Sequence, residues 1–341
     1  MQEELQKSQG QAEAEGASLL DQIMQETRLR PADEGYDTAR KGVEAFIGDL
    51  LAPSRKGEKV EQKVVDNMIQ EIDKRISKQV DEVMHHEDFQ KLESSWRGLK
   101  MVVDRSDFRE NIKIEMLSVS KNEMMEDFED APDITKSGIY KHVYSAEYGQ
   151  FGGKPYEAII SDYQFSPKAQ DVNLLSKFAS VSAMSHAPFI AGAGSEFFGL
   201  DSFDGMPNLK DLESIFEGPQ YAKWQSFRES DDSRNVGLAL PRFLLRQPYG
   251  EENAAKTFSY EENVEGSNEK FLWGNSSYAF ATNMTRSFAK YRWTPNIIGP
   301  QSGGMIEDLP VHKFTENGEL KAMAPVEVTL SDRREFELSE Q

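Results

Sequence analysis

Residues 156–193 read YEAIISDYQFSPKAQDVNLLSKFASVSAMSHAPFIAGA, and this stretch decides the fold class. Its first part, YEAIISDY (156–163), has the character of a strand. DVNLLSKFASVSAMS (171–185) is long enough for a helix, and FIAGA (189–193) is a short apolar run that fits a buried strand. Strand, helix and strand at this spacing predict an α/β layer.

The alternation extends to both sides. Towards the N-terminus, residues 112–119 alternate as a strand, and 123–128 and 139–144 read as short helices. Towards the C-terminus, the acidic, proline-punctuated stretch 201–235 holds helices at 209–216 and 221–227. Residues 236–240 read as a strand, 278–293 as an amphipathic helix and 326–330 as a last strand. Ser331-Asp332 then caps a helix that opens on Arg333, a few residues before the chain stops. A helix opening at the terminus is read as a sign of truncation. No internal repeat is visible.

A different pattern precedes this region. From Lys59 onward Val60, Val64, Met68, Ile72, Ile76 and Val80 recur every four residues, and Val65, Ile69 and Val83 widen the stripe. Glu61, Lys63, Asp66, Glu71, Lys74, Lys78 and Asp81 occupy the opposite face. Phe89, Leu92, Trp96, Leu99 and Val103 then step by three, four, three and four, the spacing of a heptad seam. These segments predict a helical hairpin, or a bent long helix, that packs against other helices.

The first 55 residues differ again. Residues 1–18 are rich in Gln, Glu, Ala and Gly without a steady apolar period. Apolar clusters follow at Leu19, Leu20, Ile23 and Met24, and at Val43, Phe46, Ile47, Leu50 and Leu51, each suited to a short amphipathic helix. Arg30-Pro31 and Gly35 interrupt any continuous helix between them. Such helices need a surface to land on. The fold class is thus α/β, a mixed sheet flanked by helices, preceded by a long amphipathic helical segment and an extended N-terminal arm. The boundaries are 1–55 for the arm, 56–106 for the partner-binding helical segment and 107–341 for the α/β core.

Composition narrows the function. At 341 residues the length prior is about two domains. A formal charge of −20 disfavours nucleic acid and anionic membrane surfaces as partners. No apolar run is long enough for membrane insertion, the start lacks a signal peptide, and cysteine is absent, which suits the cytoplasm.

No catalytic, cofactor-binding or metal site is legible in the sequence. His85-His86 diverge by about 100° on a helix and read as a helix junction, with Glu87 or Asp88 near the next start. Gly192-Ala-Gly194 is followed by Phe197 where a dinucleotide loop needs glycine, so it reads as a strand-to-loop turn. Neither Gly152-Gly153 nor Gly303-Gly304 leads into a phosphate-binding Lys-Ser/Thr. The acidic run 126–133 lacks the ligand alternation of a calcium loop, and His186 reads as a core or turn residue. No serine sits in a Gly-x-Ser-x-Gly elbow.

Residues 83–99, VMHHEDFQKLESSWRGL, resemble the large subunit of the contractile sheath of bacterial type VI secretion systems. GQFGGKPYEAIISD (149–162), ESDDSRNVGLALPRFLLRQPYG (229–250), LWGNSSYAFATNMTRSFAKYRW (272–293) and GPQSGGMIEDLPVH (299–312) agree with the same family in the same order. The family continues past Ser331 into a C-terminal region that does not follow here. The resemblance implies a structural protein, not an enzyme. It implies heterodimers with a small sheath subunit, contacts with neighbouring copies of itself, an inner-tube ring protein, a baseplate, and recycling by an AAA+ ATPase through the small subunit. On this reading Val65, Ile69, Ile72, Ile76, Val80, Phe89, Leu92, Trp96 and Leu99 form the partner interface. Leu19, Leu20, Ile23, Phe46 and Leu50 would link neighbouring protomers. An α/β enzyme and a coiled-coil adaptor are the alternatives.

Overall fold

The computed structural model describes residues 30, 35–50, 62–209, 211–250, 253, 259–265, 267–299, 301–316 and 319–340. The chain divides into two compact units, Met1–Ile76 and Ser77–Gln341. In the first, helix α1 (Tyr36–Leu50) carries Tyr36, Ala39 and Val43 as a partly buried row at three- and four-residue spacing. Helix α2 (Gln62–Met84) begins in this unit, and its last turns belong to the second.

The second unit continues with α3 (Glu87–Asp104) after a two-residue break. His86 caps it, its Nδ1 accepting the Asp88 N–H at 3.3 Å, and Glu87 and Asp88 place negative charge in the first turn. The sequence predicted a junction here, and a junction forms. Helix α4 (Lys121–Asp130) starts on a reciprocal cap, with Ser120 Oγ accepting from Glu123 N and Glu123 accepting from Ser120 N. Met124 and Phe128 turn inward, so the acidic run 126–133 is largely the solvated side and C-terminal edge of an ordinary helix. The carboxylate of Asp127 accepts from Gly138 N and Ile139 N at 2.7 and 3.0 Å. It thereby fixes the start of a helical stretch whose middle is a π turn, Lys141–Ser145.

The strand–helix–strand stretch of residues 156–193 follows. Strand β1 (Ile159–Phe165), helix α5 (Ala169–Ser185) and strand β2 (Phe189–Ala193) occur as predicted. After short helices α6 (Leu212–Phe216) and α7 (Ala222–Arg228), strand β3 (Val236–Ala239) pairs with the far side of β2. The sheet order is β1-β2-β3, parallel throughout. A two-residue pair of β4 (Phe243–Leu244) and β5 (Trp273–Gly274) is antiparallel and separate. Helix α8 (Ser276–Tyr291), the hairpin of β6 (Lys313–Glu316) and β7 (Glu319–Ala322), and helix α9 (Asp332–Glu340) complete the chain.

All five residues of β2 are buried, because both faces of the sheet are covered. Phe189 stacks on Phe178 of α5 with ring centroids 4.1 Å apart, and meets Phe165 edge-on at 5.9 Å. On the other face, Gly192 lets α8 come close: an added Cβ would meet the Asn275 side chain at 2.7 Å. Asn275 caps α8 and donates to the Asp162 carbonyl of β1 at 2.9 Å. Gly192 is therefore a packing residue in a strand. His186 sits at the end of α5 with φ 55°, exposed, as a turn residue.

Two predicted strands do not form. Residues 112–119 keep Ile112 and Ile114 half-buried but join no ladder. Side chains of the adjoining segment and β1 hold them instead: the Tyr156 hydroxyl donates to the Glu115 carboxylate, and that of Tyr163 to the Val119 carbonyl at 2.7 Å. The bond to Glu115 pushes the Tyr156 phenol up to about 12. Residues 326–330 make a single bridge, Val326 to Phe243. The chain is anchored beside it by Arg242, whose Nε and Nη2 donate to Glu327 at 2.7 and 2.5 Å.

Candidate functional site

Helix α3 reverses the usual rule for a surface helix. Its inward face is small and polar. Ser94 Oγ donates to the Trp273 carbonyl at 2.7 Å, the Ser95 hydroxyl donates to the Asp162 carboxylate, and Val102 is buried. Gly98 lies against the ring of Tyr278 on α8, with no room for a Cβ. The apolar seam is consequently turned away from the body: Leu92 is 57% exposed and Trp96 56%, with Phe89 and Val103 also exposed and Leu99 half-buried. Burying a large apolar side chain is worth about 1.5–3 kcal/mol, so this row has a strong drive to find cover.

The α2 stripe behaves similarly within each unit. Ile69, Ile72 and Ile76 are exposed in the first, at 47%, 43% and 39%. Val83 is exposed and Val80 half-buried in the second. The side chain of Val65 lies outside the described residues, as do those of Phe46 and Leu50 on α1. Leu19, Leu20 and Ile23 lie wholly outside them.

Beneath the α3 seam is an ionic cluster that the sequence did not reveal. Arg246 is 7% exposed and donates through Nη1 and Nη2 to Glu262 at 2.5 and 3.1 Å, and through Nε to Glu93 at 2.9 Å. Burial alone would push its guanidinium down; the bonds to Glu262 and Glu93 outweigh this and raise it. Glu262, at 1% exposure, also accepts from Tyr249 N at 2.9 Å and faces His85 Nε2 at 3.3 Å. Arg97 Nε completes the group, donating to Glu93 at 2.7 Å. Only the Glu93–Arg97 pair, at helical i,i+4 spacing, left a signal in the sequence.

A second buried carboxylate, Asp162, accepts hydroxyls from Ser95 and Tyr278. Burial raises it above the usual carboxylate range, and the two hydroxyl bonds offset part of that. It ties α3, β1 and α8 together. Among the described residues no three metal-binding side chains converge. His85 and His86 serve different partners, Glu262 and the α3 cap. A surface groove of about 560 Å³ between α4, α5 and α7 is lined by Phe128, Val172, Lys177, Lys223 and Phe227. Its lining holds one carboxylate, Glu129, and no histidine. Among the described residues, no helix is long and apolar enough to cross a membrane.

The chain is thus an α/β body carrying helices with an outward apolar seam. The chain belongs to the VipB (EvpB-type) tail sheath N-terminal domain family, whose model matches residues 66–341. It is 43% identical over 282 residues to the type VI secretion system sheath protein TssC1 of Pseudomonas aeruginosa. That alignment covers 81% of this chain and 57% of the relative, so the chain spans little more than half the relative's length.

Proposed function

We propose that this chain is a structural subunit of a contractile secretion sheath and carries out no bond chemistry. Membership of the tail sheath family and the likeness to TssC1 support the setting. The observation that supports the mechanism is the outward seam of α3, with Leu92 and Trp96 more than half exposed on a helix that the body otherwise holds firmly.

In this reading the segment 56–106 docks helices of a small sheath subunit through Ile69, Ile72, Ile76, Val80, Phe89, Leu92, Trp96 and Leu99, with Val65 in the same stripe. The core 107–341 stacks with neighbouring copies around an inner-tube ring protein, growing from a baseplate in the cytoplasm. The arm 1–55 ties one protomer to the next through Leu19, Leu20, Ile23, Phe46 and Leu50. Contraction repacks these interfaces and releases stored conformational free energy, and an AAA+ ATPase recycles the product through the small subunit. No cofactor, metal, nucleic acid or inserted membrane segment takes part.

Negative-stain microscopy of the chain co-expressed with its small subunit tests this. The reading expects a co-purifying heterodimer that adds to sheath-like tubes. A monodisperse chain that ignores the small subunit would contradict it.

A further inference from the structure

At the His85-His86 break the backbone ladder of the last turns of α2 is interrupted before α3 begins. His85 N bonds back to Asp81 O and His86 N to Val83 O, while the α3 ladder begins with Gln90 N on His86 O. Two helices joined this way can swing, yet the seam on α3 works with Val80 and Val83 only if the last turns of α2 keep one direction. Side chains supply the missing constraint. On the α2 side, Asp81 accepts the Tyr260 hydroxyl at 2.7 Å and Asn263 N at 3.3 Å, and His85 faces Glu262. On the α3 side, Glu93 accepts from Arg246. Asp81 is thus held by Tyr260 and Asn263, His85 of the break meets Glu262 between them, and Arg246, bonded to Glu262, reaches Glu93 of α3. Arg246, Tyr260, Glu262 and Asn263 all belong to a segment that is part of neither helix.

We propose that Arg246, Glu262, Glu93 and His85 are positioning residues for partner docking: they fix the angle across the His85-His86 break. The inference rests on the docking role of the α3 seam given above. A buried ion pair adds little net stability over well-packed apolar groups of the same size, so stability alone does not account for this cluster. Its directional bonds do specify geometry: the planar guanidinium of Arg246 makes a two-pronged bond to Glu262 while its Nε reaches Glu93, a fixed arrangement that the rotating ammonium of a lysine does not impose.

The chain has no cysteine, so a pair introduced at Gln79 and Lys100, both exposed and on either side of the break, can be spin-labelled without background. Electron–electron dipolar spectroscopy then reads the distance across the break. The parent cluster is expected to give one narrow distance. Arg246→Lys, and the apolar triple Arg246→Met/Glu93→Leu/Glu262→Leu, are expected to keep a cooperative thermal transition but broaden the distance. They should weaken binding of the small sheath subunit by tenfold or more. Trp96→Asp should abolish binding while leaving the distance narrow. Narrow distances and parental affinity in both cluster variants would overturn the positioning role. So would failure of both to fold, which would make the cluster a stability element. Retained binding by Trp96→Asp would instead overturn the docking role on which this inference rests.

Discussion

Gly98 of α3 rests directly on the ring of Tyr278 of α8, close enough that a Cβ would overlap it. This contact, with Ser94 and Ser95 beside it, explains why the bulky side of α3 faces outward. At these three positions the body leaves room only for small residues.

Gly98→Ala tests the contact. Alanine should gain about 1 kcal/mol from helix propensity. Overpacking of a tight contact costs about 1–3 kcal/mol, so we expect net destabilisation of up to about 2 kcal/mol in urea unfolding. A stabilised variant would show that α3 and α8 can separate freely.

Asp162 gives a pH-dependent prediction. Burial raises its carboxyl in the folded chain, so the folded state binds that proton more tightly than the unfolded state does. Its contribution is complete below the unfolded pKa and is lost as pH rises through the raised folded value. Asp162→Asn removes the titration and keeps an acceptor for Ser95 and Tyr278. Urea melts of both proteins should show the variant gaining on the parent between acid and neutral pH. A difference that does not change with pH would contradict this.

Much of the body was legible because apolar runs and helical periods survive into the fold. FIAGA is buried at every position, and the steps from Phe89 to Val103 mark one face of α3. The run 112–119 misled because alternation reports a half-buried surface and not the presence of a neighbouring strand. Residues 326–330 reduce to one bridge for the same reason. Apart from the Glu93–Arg97 pair the ionic cluster was invisible, since Arg246 lies 153 residues from Glu93 and Glu262 lies 177 from His85. Asp162 left only a faint mark, a carboxylate in an apolar strand.

The arm yields a prediction drawn from its sequence alone. Deleting residues 1–36 should leave a soluble heterodimer by size-exclusion chromatography, since the 59–103 segment is intact. It should stop long tubes in electron micrographs of the same preparation, because a tie between protomers is lost. Tubes of normal length would make the arm dispensable. Loss of the heterodimer would place the arm in the small-subunit interface.

Central to the proposed function is that the apolar stripe of α2 and the apolar seam of α3 are docking faces for the small sheath subunit. Co-purification of Trp96→Asp and Ile76→Asp with the tagged small sheath subunit measures it most directly. An uncovered aspartate in place of a side chain worth about 1.5–3 kcal/mol on burial should cut affinity by about 10- to 100-fold or more. Both variants should keep the parental melting temperature, since these positions are exposed in the free chain, and lose the small subunit. Capture of the small subunit at parental levels by both would contradict it.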